Sequence, residues 1–318
     1  MPGEESKKSG DHGETVIENI FKDLLGFPTY RTNIPNLKCE SQEEHAKLRS
    51  NKSTTHGLDG LLHYNSPLKS EVLEIGYISV KHTKNKYPGS PRSKFKDHFI
   101  DLATALECFH YSDEKKDIEG NSTGVRSTNV TGILFWLSND DGDSENSILE
   151  DLAKSQLESL QIVFDRIIVV DSARLQFIHQ TISRVKLISQ GNYSFVYPST
   201  GLNFEANFNE NFGDIFPLDF FAYDIIPMRF TVKDKVYFIL SCRDNIDEDH
   251  LAQLISLAKT FDKLEATTNI FLSFKDYNSY NHDDMIVKVK GRFTDNSFIK
   301  LIKVVSHDSN FKNLTNLE

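Results

Sequence analysis

Between residues 57 and 188, short apolar runs of strand type alternate with stretches of helical spacing, and few architectures accommodate that order. Gly57 to Tyr64 and Glu71 to Lys81 read as neighbouring strands, separated by the turn signal Ser66-Pro67. The second of them carries the β-branched residues Val72, Ile75, Ile78 and Val80. TGILFWLS (131–138) and RIIVVD (166–171) are runs of the fully buried type. Helical spacing fills the intervals: Ser93 to Phe109, with Phe95, Phe99, Leu102, Leu106 and Phe109 on one side, then Ile148 to Ile162 and Ala173 to Ile188. Strands alternating with helices imply parallel pairing with helices covering the sheet. The region is expected to be α/β.

The flanks are read the same way. Residues 1–12 lack periodicity and are expected to be a disordered lead. GETVIENIFKDLLGF repeats apolar residues at Val16, Ile17, Ile20, Phe21, Leu24 and Leu25, a core-facing helix ended by Gly26. Residues 33–55 are polar, with EEHAKLR a candidate short helix, and 111–129 reads as a long surface loop. After Gly191 the composition turns to Asn, Phe and Gly, which suggests a connecting segment over 191–223. Two strands joined at Lys233-Asp234-Lys235, a helix from Glu248 to Leu264, strands at 269–274 and 284–290 and a helix over 296–306 complete the chain. The expected organisation is a first domain over 13–190, the aromatic-rich connection, and an α+β C-terminal domain over 224–318.

With 318 residues, two domains are the natural expectation. No apolar run reaches the roughly 20 residues of a membrane span, and the opening MPGEESKKSGDHGE has no apolar signal core, so the expected compartment is cytoplasmic. Cys39, Cys108 and Cys242 are odd in number and far apart, which argues for buried thiols rather than a disulfide framework or a cysteine zinc site. His56, His63, His82 and His98 lack HExxH-like spacing and are expected to serve as local hydrogen-bonding residues.

A net charge of −10 speaks against a globally basic DNA-coating surface, yet the charge is not even. Lys81, Lys84, Lys86, Arg92, Lys94 and Lys96 lie within sixteen residues that contain no acid. The stretch begins at the end of the second strand, and the preceding strand carries Asp59. A carboxylate for a hard cation and a lysine near the attacked phosphate, both on rigid elements, are what metal-dependent phosphodiester cleavage requires. Each residue also has a bland reading. Asp59 before Gly60 could be a hairpin turn residue, a lysine at a strand end is ordinarily solvated, and a basic run on an acidic protein can be a solvated loop. No phosphate loop, GxSxG elbow or dinucleotide fingerprint is present, and Asp140 to Glu145 is read as a helix-capping turn rather than a calcium loop.

The order of a helix with Glu18, a strand with Asp59, a strand ending in Ser79-Val80-Lys81, a helix and a strand resembles the PD-(D/E)XK nuclease superfamily over residues 13–190. Glu18 stands six residues before Leu24-Leu25, as the first-helix acid does in Mrr-like and resolvase-like members. The chain departs from the pattern in having Leu58 for the proline and, more seriously, Ser79 for the second acid. Some restriction endonucleases of the superfamily have the same Ser-x-Lys arrangement and take the acid from the following helix. Here that helix offers Asp97 and Asp101, spaced i, i+4. Glu74 is on the opposite strand face from Ser79 and Lys81.

The resemblance implies a mixed sheet flanked by helices. It implies a metal-dependent deoxyribonuclease in which Asp59, the Val80 carbonyl and an acid from Glu18, Asp97 or Asp101 hold Mg²⁺ or Mn²⁺. Lys81 would act on the attacking water and the phosphate, and Lys84, Lys86, Arg92, Lys94 and Lys96 would track the DNA backbone. HGLDGLLHYNSPL, ISVKHT and SKFKDHFIDLATALECF further resemble the nuclease-like subunit of a two-gene bacterial anti-phage defence system. That implies a second protein subunit encoded by an adjacent gene, with residues 202–223 and the following domain as partner surfaces. A homo-oligomer is compatible with it. The alternative is an inactive nuclease-fold DNA-binding or scaffolding subunit in which Ser79 has removed the chemistry.

Overall fold

The structure is a computed structural model that describes residues 2–49, 53–157, 161–203, 211–261 and 267–307. It divides into two compact units, Met1–Gln176 and Phe177–Glu318. The division falls earlier than residue 190 and inside a helix.

In the first unit, helix α1 (Pro2–Asn19) runs on into a π-helical turn, Ile20–Leu24, closed by Leu25 N–H donating to Ile20 O at 2.9 Å. Residues 2–12, expected as a disordered lead, are therefore helical. Apolar periodicity misses them because a polar tertiary contact helps hold them: Ser9 Oγ is 2.8 Å from His82 Nδ1, and the His12 ring packs edge-on to His82. A Cβ on Gly13 would stand 2.6 Å from His82 Cβ, so this mid-helix glycine lets α1 lie close on the strand below.

Short β1 (Leu37–Lys38), α2 (Gln42–Leu48) and β2 (Thr55–His56) follow, β1 and β2 pairing antiparallel. The main sheet is built from β3 (Gly60–Asn65) and β4 (Val72–Thr83). Helix α3 (Pro91–Phe109) and α4 (Asp113–Asn121) come next, then β5 (Ser127–Ser138), α5 (Asp141–Glu145), α6 (Leu149–Leu152), β6 (Arg166–Asp171) and α7 (Ser172–Ile188). Strand order is β3-β4-β5-β6, with β3 antiparallel to β4 and the other pairs parallel. The unit is α/β as expected. Helix α4 occupies part of the expected loop 111–129; with Ile118 as its buried residue and Ser112 as N-cap, it has no apolar stripe to betray it.

Side chains alternate across β4. Leu73, Ile75 and Tyr77 pack into the core under α3, whereas Gly13 of α1 lies against Val80 and His82 on the other face. Ser79 and Lys81 share the α3 side. Glu74, fully buried on the opposite side, takes Lys69 at 3.3 Å and Asn129 Nδ2 at 3.0 Å.

The second unit is built on β7 (Tyr193–Val196), β8 (Phe212–Gly213), β9 (Ile225–Val232), β10 (Lys235–Cys242), α8 (Glu248–Phe261), β11 (Thr267–Phe274), α9 (Ser279–Lys290), α10 (Asn296–Leu301) and β12 (Ile302–Ser306). Its sheet order is β12-β11-β10-β9-β7-β8. The β9–β10 hairpin turns at Lys233 and Asp234, both at positive φ (47° and 63°). Residues 284–290, expected as a strand, belong to helix α9; Ile286 and Val289 satisfy a helical i, i+3 core pattern as well as they satisfy a β-branched run. The expected helix over 296–306 gives way to β12 after Leu301. Phe216, Phe220 and Phe221 of the aromatic-rich segment are fully buried, with Phe195, Phe220 and Phe221 all packed edge-on to Phe216, so these rings form core rather than an exposed partner surface; residues 204–210 of that segment lie outside the described residues.

Candidate active site

The site begins where β3 ends and β4 continues. The last rung between them pairs Gly60 with Ile78, while β4 runs on to Thr83 alongside β5. Beyond Ile78 the β4 edge on that side faces no strand among the described residues, and the Asp59 carboxylate fills the place. Asp59 N–H donates to Ile78 O at 3.2 Å, and Asp59 Oδ2 accepts from Val80 N–H at 2.6 Å. A strand residue presents its N–H and C=O to the same edge, so the Val80 carbonyl belongs to this edge too. Gly60 is not a hairpin glycine. A Cβ there would stand 2.5 Å from the Tyr30 hydroxyl, so the residue is small to admit that ring.

Asp59, Ser79 and Lys81 line a cleft of about 230 Å³ together with Arg49, Thr55, His56, Tyr77 and Asp101. Ser79 is buried and Lys81 half-buried. Tyr77 donates its hydroxyl to Gly57 O at 2.8 Å, which ties the chain before Asp59 to β4. Burial first, then Asp59 among the surrounding charges, raises the Tyr77 phenol.

Glu14 of α1 feels the charges of Asp59 and Lys81. Its carboxyl is raised above the ordinary Glu range by burial, then by the like charges of Asp59 and Asp11, with Lys81 opposing. Glu18 instead pairs with Lys22 at 2.6 Å. The Tyr30 phenol is raised by burial and then by the charges of Glu18, Asp59 and Glu14.

The α3 acids separate. Asp101 lines the cleft, but Arg49 Nε reaches its carboxylate at 3.3 Å; Asp97 is not among the lining residues. Arg49, 7% exposed at its side chain, also touches the Ser53 and Thr55 carbonyls and His56 Nδ1 at 3.4–3.5 Å. Nothing in the sequence distinguishes Arg49 from an ordinary basic residue at the end of a short helix. His98 has its imidazole pushed down to about 4 by burial and the Lys81 and Lys94 cations, so it is neutral near pH 7.

The basic segment is partly engaged. Arg92 bonds Asp151, and Lys86 is 3.8 Å from Asp140. Lys84, Lys94 and Lys96 have no ion-pair partner among the described residues. The loop itself is anchored by Tyr87, whose hydroxyl donates to Trp136 O at 2.6 Å and whose N–H donates to Asp143 Oδ2 at 2.9 Å.

Oxygen donors of the carboxylate and carbonyl type suit a hard divalent cation. Asp59, Glu14 and the Val80 carbonyl supply such donors. Two carboxylates near enough for one to raise the other are an arrangement that a cation would relieve. The donor chemistry at Asp59 and the Val80 carbonyl therefore suits Mg²⁺ or Mn²⁺.

Thiol and imidazole groups come together nearby, against the expectation of separate buried thiols and unrelated histidines. Cys39, His45, His56 and Cys108 each offer a ligand atom within 4.8 Å of the others.

The family model described as the GAPS4 protein PD-(D/E)XK nuclease domain matches residues 1–174, more than half of the chain. No curated protein and no solved structure matches. No helix among the described residues is long and apolar enough to cross a membrane. The superfamily expected from the strand acid, the strand lysine and the helix order, and the anti-phage setting expected from HGLDGLLHYNSPL, ISVKHT and SKFKDHFIDLATALECF, are those of this match, and the chain belongs to the GAPS4 PD-(D/E)XK nuclease family.

Proposed function

We propose that the chain is a divalent-metal-dependent deoxyribonuclease of anti-phage defence, acting in the cytoplasm with a second subunit encoded beside it. The observation that carries the reading is the Asp59 carboxylate held by Val80 N–H at 2.6 Å in a cleft that also contains Lys81, with Glu14 acting electrostatically on the same pair.

Asp59, the Val80 carbonyl and Glu14 would hold Mg²⁺ or Mn²⁺, which when bound lowers the pKa of a coordinated water and offsets negative charge on the scissile phosphate. Lys81 donates to the phosphate or the attacking water from the same strand face as Ser79. Ser79, a neutral hydroxyl, can hydrogen-bond a water or phosphate oxygen but contributes no charge. Its lost carboxylate is replaced from α1 rather than from α3, because Arg49 already neutralises Asp101. Lys84, Lys94 and Lys96 contact DNA phosphates without reading bases.

A non-catalytic scaffold is the second reading, favoured by Ser79 itself: apart from Lys81, the polar groups on that face of β4 inside the cleft are Ser79 and the Tyr77 hydroxyl. Incubating the purified chain, alone and with its co-expressed neighbour, on linear and circular DNA decides between them. The nuclease reading expects cleavage with Mg²⁺, none with chelator and none with Asp59→Ala. DNA binding without cleavage under every condition supports the scaffold.

A further inference from the structure

We propose that Cys39, His45, His56 and Cys108 form a closed tetrahedral zinc site, separate from the nuclease cation, that pins the β1–α2–β2 excursion to α3. All four side chains are sealed from solvent, at 1%, 2%, 1% and 2% exposure in that order, and their ligand atoms lie within 4.8 Å of one another. Two sulfurs and two imidazole nitrogens are the donor set of a structural zinc. Bond lengths near 2.3 Å for Zn–S and 2.0–2.1 Å for Zn–N imply ligand separations of roughly 3.3–3.8 Å, so shifts on the order of 1 Å close the set around an ion.

The surroundings fit the assignment. His45 Nδ1 is 3.2 Å from Cys39 Sγ and 3.7 Å from Cys108 Sγ, while its Nε2 meets Glu107 Oε2 at 2.7 Å. A carboxylate on the far ring nitrogen is the usual support of a metal-ligating histidine, fixing its tautomer. His56 Nε2 is buried without a hydrogen-bond partner among the described residues, which buried polar groups rarely tolerate. Arg49 lies 3.4 Å from His56 Nδ1 and has Asp101 and two carbonyls to turn to when that nitrogen carries the proton. Binding releases the two thiol protons to solvent, and two thiolates with two neutral imidazoles make the zinc complex uncharged, which suits burial.

The excursion needs such a clamp. Its strands are two residues long each and His45 is the one buried residue of α2, so hydrophobic burial contributes little there. With four protein ligands no position remains for substrate, so the ion is structural. Its effect on the cleft is positional, because His56 and Arg49 form part of the wall beside Asp59.

The test uses the untagged full chain purified without chelator, its metal content measured by mass spectrometry and its zinc edge by X-ray absorption. The expected result is one zinc per chain with two sulfurs near 2.3 Å and two nitrogens near 2.0–2.1 Å. Cys242→Ser retains the ion and Cys108→Ser loses it. Because Cys108 is buried, wild-type protein stripped of metal serves as the parallel arm: its melting temperature falls and recovers with Zn²⁺ but not with Mg²⁺. Zinc at background level in the wild type, a Cys39–Cys108 disulfide in the purified chain, or full zinc retention by Cys108→Ser would overturn the assignment. None of these readouts depends on nuclease activity.

Discussion

Gly57 and Leu58 separate His56 of one ligand set from Asp59 of another, and the two sets differ in donor type and in access to solvent. The proposed Asp59 set is oxygen-based and borders an open cleft, with a Glu14 carboxyl whose ionisation burial and the Asp59 and Asp11 charges oppose. The Cys39 set is sulfur- and nitrogen-based, sealed, and braced by Glu107. Hard cations that retain waters suit the first and a dry four-coordinate ion suits the second. An open site can exchange ligands during turnover; a closed one can only hold geometry. Chemistry and positioning are thus divided between neighbouring segments of one chain.

The sharpest way to break this division is to remove a charge from the open set. Asp59→Ala and Lys81→Ala should each reduce DNA cleavage by at least about 10²–10³-fold, the usual scale for deleting one electrostatic contributor to a transition state. Both should leave zinc content and melting unchanged. Activity near wild-type in either variant, measured on correctly melting protein, removes the catalytic assignment.

The next largest effect concerns approach of DNA rather than chemistry. Replacing Lys84, Lys94 and Lys96 together with Ala should weaken binding to unrelated sequences alike and flatten the log–log salt dependence by about 2.7, at roughly 0.9 per phosphate contact. An unchanged slope makes the segment a solvated loop.

Smaller again is the effect at α3. Asp101→Asn should lower cleavage only modestly, since its partner Arg49 keeps the Ser53 and Thr55 carbonyls, and Asp97→Asn should change nothing. A loss from Asp101→Asn as severe as from Asp59→Ala would return Asp101 to the cation's ligand set.

The smallest expected effect is thermodynamic. The folded-state pKa of Glu14 is raised, so its ionised form is less favourable in the folded chain than in the unfolded one. Its contribution is favourable while the carboxyl is protonated and is lost as pH rises through that raised value. Glu14→Gln should therefore raise the melting temperature slightly at pH 7 without divalent cation and leave it unchanged at low pH. A lower melting temperature at pH 7 would show that Glu14 is held by favourable contacts instead.

The parts of this account that were legible in the sequence are those set by short-range periodicity. That Asp59 and Lys81 come to one cleft could be read because apolar alternation sets the two strands side by side. Counting back from Leu24-Leu25 picks out Glu18 alone, and it assumes a regular helix, whereas the π turn over Ile20–Leu24 shifts the phase of everything before it. The Arg49–Asp101 pair and the Cys39–His45–His56–Cys108 cluster escaped for a different reason. Both depend on the 37–56 excursion folding onto α3, a contact between segments with no pattern of their own. In the second unit, residues 284–290 read as a strand yet form part of α9, because a β-branched run with lysines between satisfies both periods.

The central claim is that a cation site survives at Asp59 despite Ser79, and Mn²⁺ binding to zinc-loaded protein, followed by electron paramagnetic resonance, tests it without requiring a partner or turnover. The account predicts one Mn²⁺ site in the wild type, lost in Asp59→Ala, weakened in Glu14→Gln and unchanged in Glu18→Gln. Binding that is absent from the wild type, or equal in the wild type and Asp59→Ala, would contradict it.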